Sequence, residues 1–298
     1  MNSAVPYAQR SFGAIVRDVL SLFKLRIGVL IMVTALVGLA ITPGSGPGWV
    51  RVLVLALSVL GASASAGAFN QYYERDHDRL MARTRGRAFV TGALPASPAW
   101  LYLIGLMLIA SVGMAAWVLN PLSALFVFLG AFFYGVVYTV WLKRRTWWNI
   151  VIGGLAGSFA VLAGAAAVDP ALGPLPLLLA LVLFLWTPPH FWSLAIAHRS
   201  DYAEAGIPML PVVAGDARAA RAVLIATLLL VAVSLLPVLF GAGPIYLAGA
   251  VAGGAYFILR AAALNRAPSR RTAMASFLAS LLQLSLLLIA ASADSLSR

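Results

Sequence analysis

The chain has 298 residues, 62% of them hydrophobic and only 10% charged; a soluble domain carries about 25% charged residues, so a water-soluble globule is excluded and a polytopic membrane protein is indicated. Its 21 basic residues against nine acidic ones give a net charge of +12, which in so apolar a chain reads through position relative to the bilayer and not as nucleic-acid binding. There is no cysteine, which removes disulfides, cysteine-held iron–sulfur clusters and cysteine nucleophiles.

Residues 1–24 lack a continuous apolar core, and no signal-peptide pattern is evident. Phe12, Ile15, Val16, Val19, Leu20 and Phe23 recur at helical spacing, with Arg17, Asp18, Ser21 and Lys24 tending to the other face. The pattern predicts a helix lying along the membrane surface. Nine stretches then reach the roughly 20 apolar residues that a span needs: roughly 25–44, 50–70, 98–118, 121–141, 148–168, 172–197, 218–240, 243–264 and 271–293. The joins at Asn120–Pro121 and Gly241–Gly243 are so short that their neighbouring helices must run antiparallel. Ala-rich tracts predict close helix packing, because small residues let backbones approach in lipid. The expected fold is an all-α, polytopic membrane helical bundle in one membrane-embedded domain over 1–298.

Basic residues fix the orientation. Nineteen of the 21 fall on one side, including Arg10, Lys24, Arg26, the five arginines of 75–87 and Lys143-Arg144-Arg145, while Arg51 and Arg298 fall on the other. The positive-inside rule places the N-terminus in the cytoplasm and the C-terminus outside.

Nine acids are few enough to place singly. Asp18 lies on the surface helix, and Asp169 and Asp294 lie on the outer side. The other six fall in two cytoplasmic loops. The first runs Asn70-Gln71-Tyr72-Tyr73-Glu74-Arg75-Asp76-His77-Asp78. If span 2 continues as a helix, Asn70, Glu74 and Asp78 share one face within an arc of about 80°, while Asp76 points away, towards Arg79 and Arg83. Two carboxylates and an amide on one face repel without a counter-charge. Mg²⁺, a hard ion commonly held by one or two carboxylates plus substrate phosphates, suits them, and the arginines nearby suit phosphate. The bland alternative is a solvated loop whose acids pair with its own arginines.

Tyr134 and Tyr138 lie one turn apart near the cytoplasmic end of span 4, as belt tyrosines commonly do. Lys143-Arg144-Arg145 reads as a positive-inside anchor or an anion contact, and Asn149 as interhelical glue or part of a site. Span 6 carries Trp186-Thr187-Pro188-Pro189-His190-Phe191-Trp192. Paired prolines are expected to kink the helix, with His190 in the break at membrane depth, where it contacts a ligand or is a hydrogen-bonded packing residue. Asp201-Tyr202 and Gly206-Ile207-Pro208-Met209-Leu210-Pro211 follow in the second loop.

These segments, with Tyr138-Thr139 through Asn149 and Gly153-Gly154, resemble the protohaem IX farnesyltransferase branch of the intramembrane prenyltransferases from about Lys24 to Val213. The stretch around Pro189-His190-Phe191-Trp192 and Gly206–Pro211 resembles the haem branch alone. The resemblance implies nine helices around a central cavity open to the cytoplasmic side, in a bacterial inner membrane. It implies transfer of a farnesyl group from farnesyl diphosphate to a vinyl group of haem B, a substrate and not a resident cofactor. Mg²⁺ is the implied cofactor, with Asn70, Glu74 and Asp78 as catalytic and metal-binding residues and Asp201 as a further metal ligand. The expected substrate contacts are Lys24, Arg26, Arg75, Arg79, Arg83, Tyr138, Lys143, His190, Asp201 and Tyr202. Haem A synthase or oxidase-assembly proteins are the implied protein partners. The chain departs from the family pattern at Leu25, at Ala88 after Arg87, and at Thr187. A prenyltransferase of quinone or aromatic acceptors is the alternative within the superfamily, and a transporter with a broken span 6 is the alternative outside it.

Overall fold

A computed structural model describes residues 11–297; Arg10, Arg298 and the first ten residues of the expected surface helix lie outside the described residues. Among the described residues there is no strand. Ser11 caps α1 (Phe12–Leu22) by accepting from the Ala14 amide. Phe12, Val16 and Leu20 are exposed, whereas Leu22 is buried and Val19 and Phe23 pack against the interior, so one apolar edge of the helix faces outward, as in a helix lying in a membrane interface. The chain then turns by 44° into α2 (Leu25–Ile41). Lys24 makes the turn in the left-handed region, at φ 47°, a conformation that costs a non-glycine residue about 1–2 kcal/mol.

α3 (Gly48–Asp78) is a single 31-residue helix running from the first join through the whole acidic motif. A short α4 (Ala88–Thr91) precedes α5 (Ala99–Val118), and Pro121 opens α6 (Pro121–Phe132) after a join of only two residues, Leu119 and Asn120. α6 passes without a break into a π-helical segment, Phe133–Leu142. α7 (Asn149–Gly153) and α8 (Leu155–Ala166) divide the fifth span, and α9 (Pro174–Ala197) follows. α10 (Arg199–Glu204) and α11 (Leu210–Ala214) form the second loop. α12 (Asp216–Leu235) with its 3₁₀ end (Leu236–Phe240), α13 (Pro244–Arg266) and α14 (Arg270–Leu296) complete the bundle.

Among the described residues, by length and composition, eight helices can cross a membrane, or nine when the bent pair α1 and α2 counts as one span. Apolar side chains such as Ile109, Trp117 and Leu259 point outward at more than 60% exposure, as lipid-facing positions do. Inside, contact depends on small residues. A Cβ placed on Gly164 of α8 would collide with the Ala35 carbonyl of α2, and one on Gly38 of α2 with the Val161 carbonyl of α8. The two backbones are therefore packed against each other with no side chain between them.

One expectation fails here. Pro188 and Pro189 lie inside an uninterrupted α9, so span 6 is not broken. A proline in lipid frees a backbone carbonyl upstream, but neighbouring helices can absorb that without unwinding the helix. The midplane break on which a transport site would depend is absent from α9.

Candidate active site

Because α3 does not stop at the membrane boundary, Asn70, Glu74 and Asp78 follow at successive turns of one continuous helix. All three are buried, at 3%, 1% and 2% exposure, whereas Asp76, on the other side of the helix, is exposed. Burying carboxylates without partners is costly, and each member of the motif has a basic partner delivered by a different segment. Lys24 Nζ donates to Asn70 Oδ1 at 2.6 Å and to the Tyr134 hydroxyl at 3.0 Å. Lys143 pairs with Glu74 Oε2. Arg87 Nη1 donates to Asp78 Oδ2 at 2.5 Å. Burial, and then the charges of Lys24 and Arg144, draw the Lys143 ammonium down from 10.5 to about 7.

Local backbone geometry explains two of these placements. The left-handed turn at Lys24 aims its side chain back across α3. In the span that carries Lys143, the nine-residue step from Tyr134 to Lys143 would be two and a half turns of α-helix, setting Lys143 on the far side from the tyrosines. In π winding, with its i→i+5 bonds and about 4.4 residues per turn, the same step is about two turns. Tyr134, Tyr138 and Lys143 consequently share a face, the two phenol rings stacked at 5.9 Å. Asn149 is buried and donates to the Lys143 carbonyl at 3.0 Å, fixing the end of the segment.

The cluster sits at the polar end of a cavity of about 440 Å³, within the usual range for a ligand pocket. Below the charged rim the walls are apolar, with Ile31, Val59, Val127 and Ala160 among the lining residues. Met81 of the first loop and Tyr202 of the second both line the cavity and meet in an apolar cluster with Ile207 and Met209. A cleft with basic groups at one end and a hydrocarbon wall at the other suits an anion carrying a long apolar chain.

The donor set for a metal is two carboxylates and an amide. Among the described residues no three His, Cys, Asp or Glu side chains converge, so a metal here would draw its remaining ligands from substrate oxygens, as Mg²⁺ does in phosphate sites. Glu74 Oε1 is buried without a hydrogen-bond partner. An orphaned carboxylate oxygen in an all-oxygen, hard donor set fits Mg²⁺.

Lys24, Asn70, Asp78, Arg83, Tyr138, Lys143 and Tyr202, all expected at the site, line this one cavity, and Glu74 reaches it through its ion pair with Lys143. Others do not. Arg26 and Arg79 are exposed, and Arg75 folds back over its own helix onto the Tyr72 ring and carbonyl. Asp201 pairs with His198 at 3.6 Å and is not among the lining residues. The second loop turns its next residue, Tyr202, inward instead, so Asp201 does not join Glu74 and Asp78. Arg87 and Tyr134 were not among the expected contacts. Arg87 lies beyond any helical spacing rule from Asp78, and Tyr134 carried the common signature of an interfacial tyrosine.

His190 turns away from the cavity. Thr187 and Phe191 of α9 line it, while His190 faces α14. Its Nδ1 shares a 2.7 Å hydrogen bond with Ser280 Oγ, and its ring is sandwiched between Trp186, at 4.1 Å, and Phe277, at 4.5 Å. Ser193 and Ser276 bond at 2.9 Å one turn along. His190 is thus a polar tie between α9 and α14. Replacing Ser280 with alanine removes one buried partner and is expected to cost about 1–3 kcal/mol, read as a lower unfolding midpoint in detergent. Affinity of the cavity for pyrophosphate should stay at the wild-type value; a large loss there would place His190 at the ligand after all.

The model of the UbiA prenyltransferase family matches residues 31–287 of this chain. Protoheme IX farnesyltransferase 2 of Paramagnetospirillum magneticum is 58% identical over 270 residues, 91% of this chain and 94% of that protein. Protoheme IX farnesyltransferase 1 of the same organism is 48% identical over 281 residues, 93% and 98% of the two chains. Among solved structures, a digeranylgeranylglyceryl phosphate synthase superposes with a TM-score of 0.80 at 17% identity, over 95% of this chain and 99% of that one. A UbiA homolog from Archaeoglobus fulgidus bound to DMAPP and Mg²⁺ gives 0.71 at 19%, over 91% and 99%. At such identities these two structures share the fold.

Proposed function

This chain belongs to the UbiA prenyltransferase family, and on that premise we propose that it transfers a farnesyl group from farnesyl diphosphate to a vinyl group of haem B, giving haem O. The observation that carries the reading is the cavity itself, in which Asn70, Glu74 and Asp78 and their three bases stand at the head of an apolar channel. Support for the acceptor comes from the two farnesyltransferases of protoheme IX that are 58% and 48% identical over nearly the whole chain.

The residues divide the work. Lys24, Arg83, Arg87 and Lys143 hold the diphosphate by charge-assisted hydrogen bonds and stabilise the negative charge that grows on it as the allylic C–O bond breaks. Bound between Asn70, Glu74 and Asp78, Mg²⁺ would supply Lewis-acid stabilisation to the same leaving group. The apolar wall orients the isoprenoid and excludes water, which would otherwise capture the farnesyl carbon. The stacked rings of Tyr134 and Tyr138 offer π-faces to positive charge beside it. Departure of diphosphate takes the bonding pair with it; the vinyl π-pair then forms the new C–C bond, and water adds to the resulting cation with loss of a proton. No protein nucleophile is required. We place the basic mouth on the cytoplasmic side of the membrane, because 19 of the 21 basic residues gather on that side; the bacterial inner membrane is the location that goes with the proposed activity.

The test is expression in cells that lack haem O, followed by mass analysis of extracted haems and quinones. A hydroxyethylfarnesyl haem supports the proposal. A prenylated quinone or aromatic product with unchanged haem would replace the acceptor, and substrate uptake without chemical change would overturn the enzyme reading. In membranes supplied with haem B and farnesyl diphosphate, excess EDTA is expected to stop turnover and added Mg²⁺ to restore it. Full turnover in EDTA would remove the metal from the account.

A further inference from the structure

Each of Asn70, Glu74 and Asp78 already has a cationic partner on one of its oxygens. Lys24 is on Asn70, Lys143 on Glu74 and Arg87 on Asp78. The three bases come from three separate segments, and two of them reach the motif only through irregular backbone: the left-handed turn at Lys24 and the π winding before Lys143. Unfavourable backbone conformations persist where the surroundings over-determine them, commonly at functional sites. A lysine seated on one oxygen of a carboxylate and a metal drawn to that carboxylate compete for its single negative charge.

We propose that Lys24, Lys143 and Arg87 are exchangeable counter-ions of the metal motif, each leaving its oxygen partner for the diphosphate when a divalent cation takes that partner. The inference rests on the metal reading given above and adds how the site loads. With Arg83, the bases and acids at the rim carry a net charge of +2. A divalent cation arriving alone raises this to +4 and leaves the half-buried Lys143 and Arg87 without their carboxylates, an unfavourable state. A diphosphate ester, with about three negative charges, gives the displaced bases new partners and offsets the cation, since a bound ion's own charge dominates so small a site. Cation and diphosphate therefore load as a pair. The cation alone binds weakly, and the same bases that oppose it favour the anion.

This predicts responses of opposite sign. Mn²⁺ alone, followed by electron paramagnetic resonance on the full-length protein in detergent, should bind Lys143→Gln about tenfold more tightly than wild type, a coupling of ordinary size. Inorganic pyrophosphate in EDTA, followed by calorimetry, should bind that variant about tenfold more weakly. Lys143→Arg should stay near wild type in both. Arg83→Gln loses the same charge without freeing a metal ligand, so its gain for Mn²⁺ should be clearly smaller. Arg87→Gln reports the same exchange at Asp78 if Lys143→Gln fails to fold. A variant that loses affinity for both probes, or a gain equal to that of Arg83→Gln, would overturn the exchange. Mn²⁺ binding to wild type that is untouched by Glu74→Gln would instead overturn the metal site on which the inference rests.

Discussion

Glu74→Ala or Asp78→Ala is expected to lower farnesyl transfer by about 10²- to 10³-fold, the loss that follows removal of one preorganised electrostatic contact to a developing charge. Both carboxylates are buried on one face of α3 and each holds a base at the cavity rim. Removing either leaves Lys143 or Arg87 without its partner and takes one of two charged donors from the proposed metal site. Asp76→Ala, two residues away and exposed on the opposite side of the helix, is expected to keep most of the activity. The measurement is initial rate of product formation in membranes normalised to folded protein. Equal losses in all three variants would mean that the loop's total charge matters and the face of the helix does not.

Gly164→Val is expected to be the most damaging substitution away from the site. The new side chain would enter the Ala35 carbonyl of α2, and the reciprocal contact of Gly38 with the Val161 carbonyl leaves the two helices no room to slide. Backbone cannot yield as a flexible side chain does, so the cost should reach about 3 kcal/mol, the upper part of the usual overpacking range. It should appear as a large fall in the detergent unfolding midpoint. Activity should fall with it, because α2 supplies Ile31 and α8 supplies Ala160 to the cavity wall. Gly113→Ala, which meets nothing within 4 Å, is the control; there the helix propensity of alanine should add about 0.5–1 kcal/mol. An unchanged midpoint in Gly164→Val would show that α2 and α8 are not in this backbone contact.

Composition and hydropathy were enough to read the membrane class and the spans, because a run of about 20 apolar residues has few other uses. Helical spacing was also enough to place Asn70, Glu74 and Asp78 on one face, since α3 runs on through Asp78 without a break. Other features depend on tertiary contacts with no local signature. Nothing in Phe133–Leu142 announces π winding, so the side of the helix on which Lys143 emerges could not be computed from its number. Arg87 finds Asp78 across a turn whose path the residues Arg85–Ala88 do not spell out. At His190 the local context misled: prolines and tryptophans beside it suggest a cavity, but its ring was claimed by Ser280 and Phe277, which lie 90 and 87 positions further along. Asp201 and Tyr202 show the same limit on a smaller scale, since the turn of one short helix decides which of two neighbours faces inward.

The most direct measurement is a structure of the protein soaked with Mn²⁺ and a farnesyl diphosphate analogue that cannot ionise, with the metal located by its anomalous signal. The expected result is a peak among the side-chain oxygens of Asn70, Glu74 and Asp78, with Lys24, Lys143 and Arg87 turned onto the phosphates and the isoprenoid along the apolar wall. A peak elsewhere, with those three bases still on their original partners and the analogue outside the cavity, would contradict it.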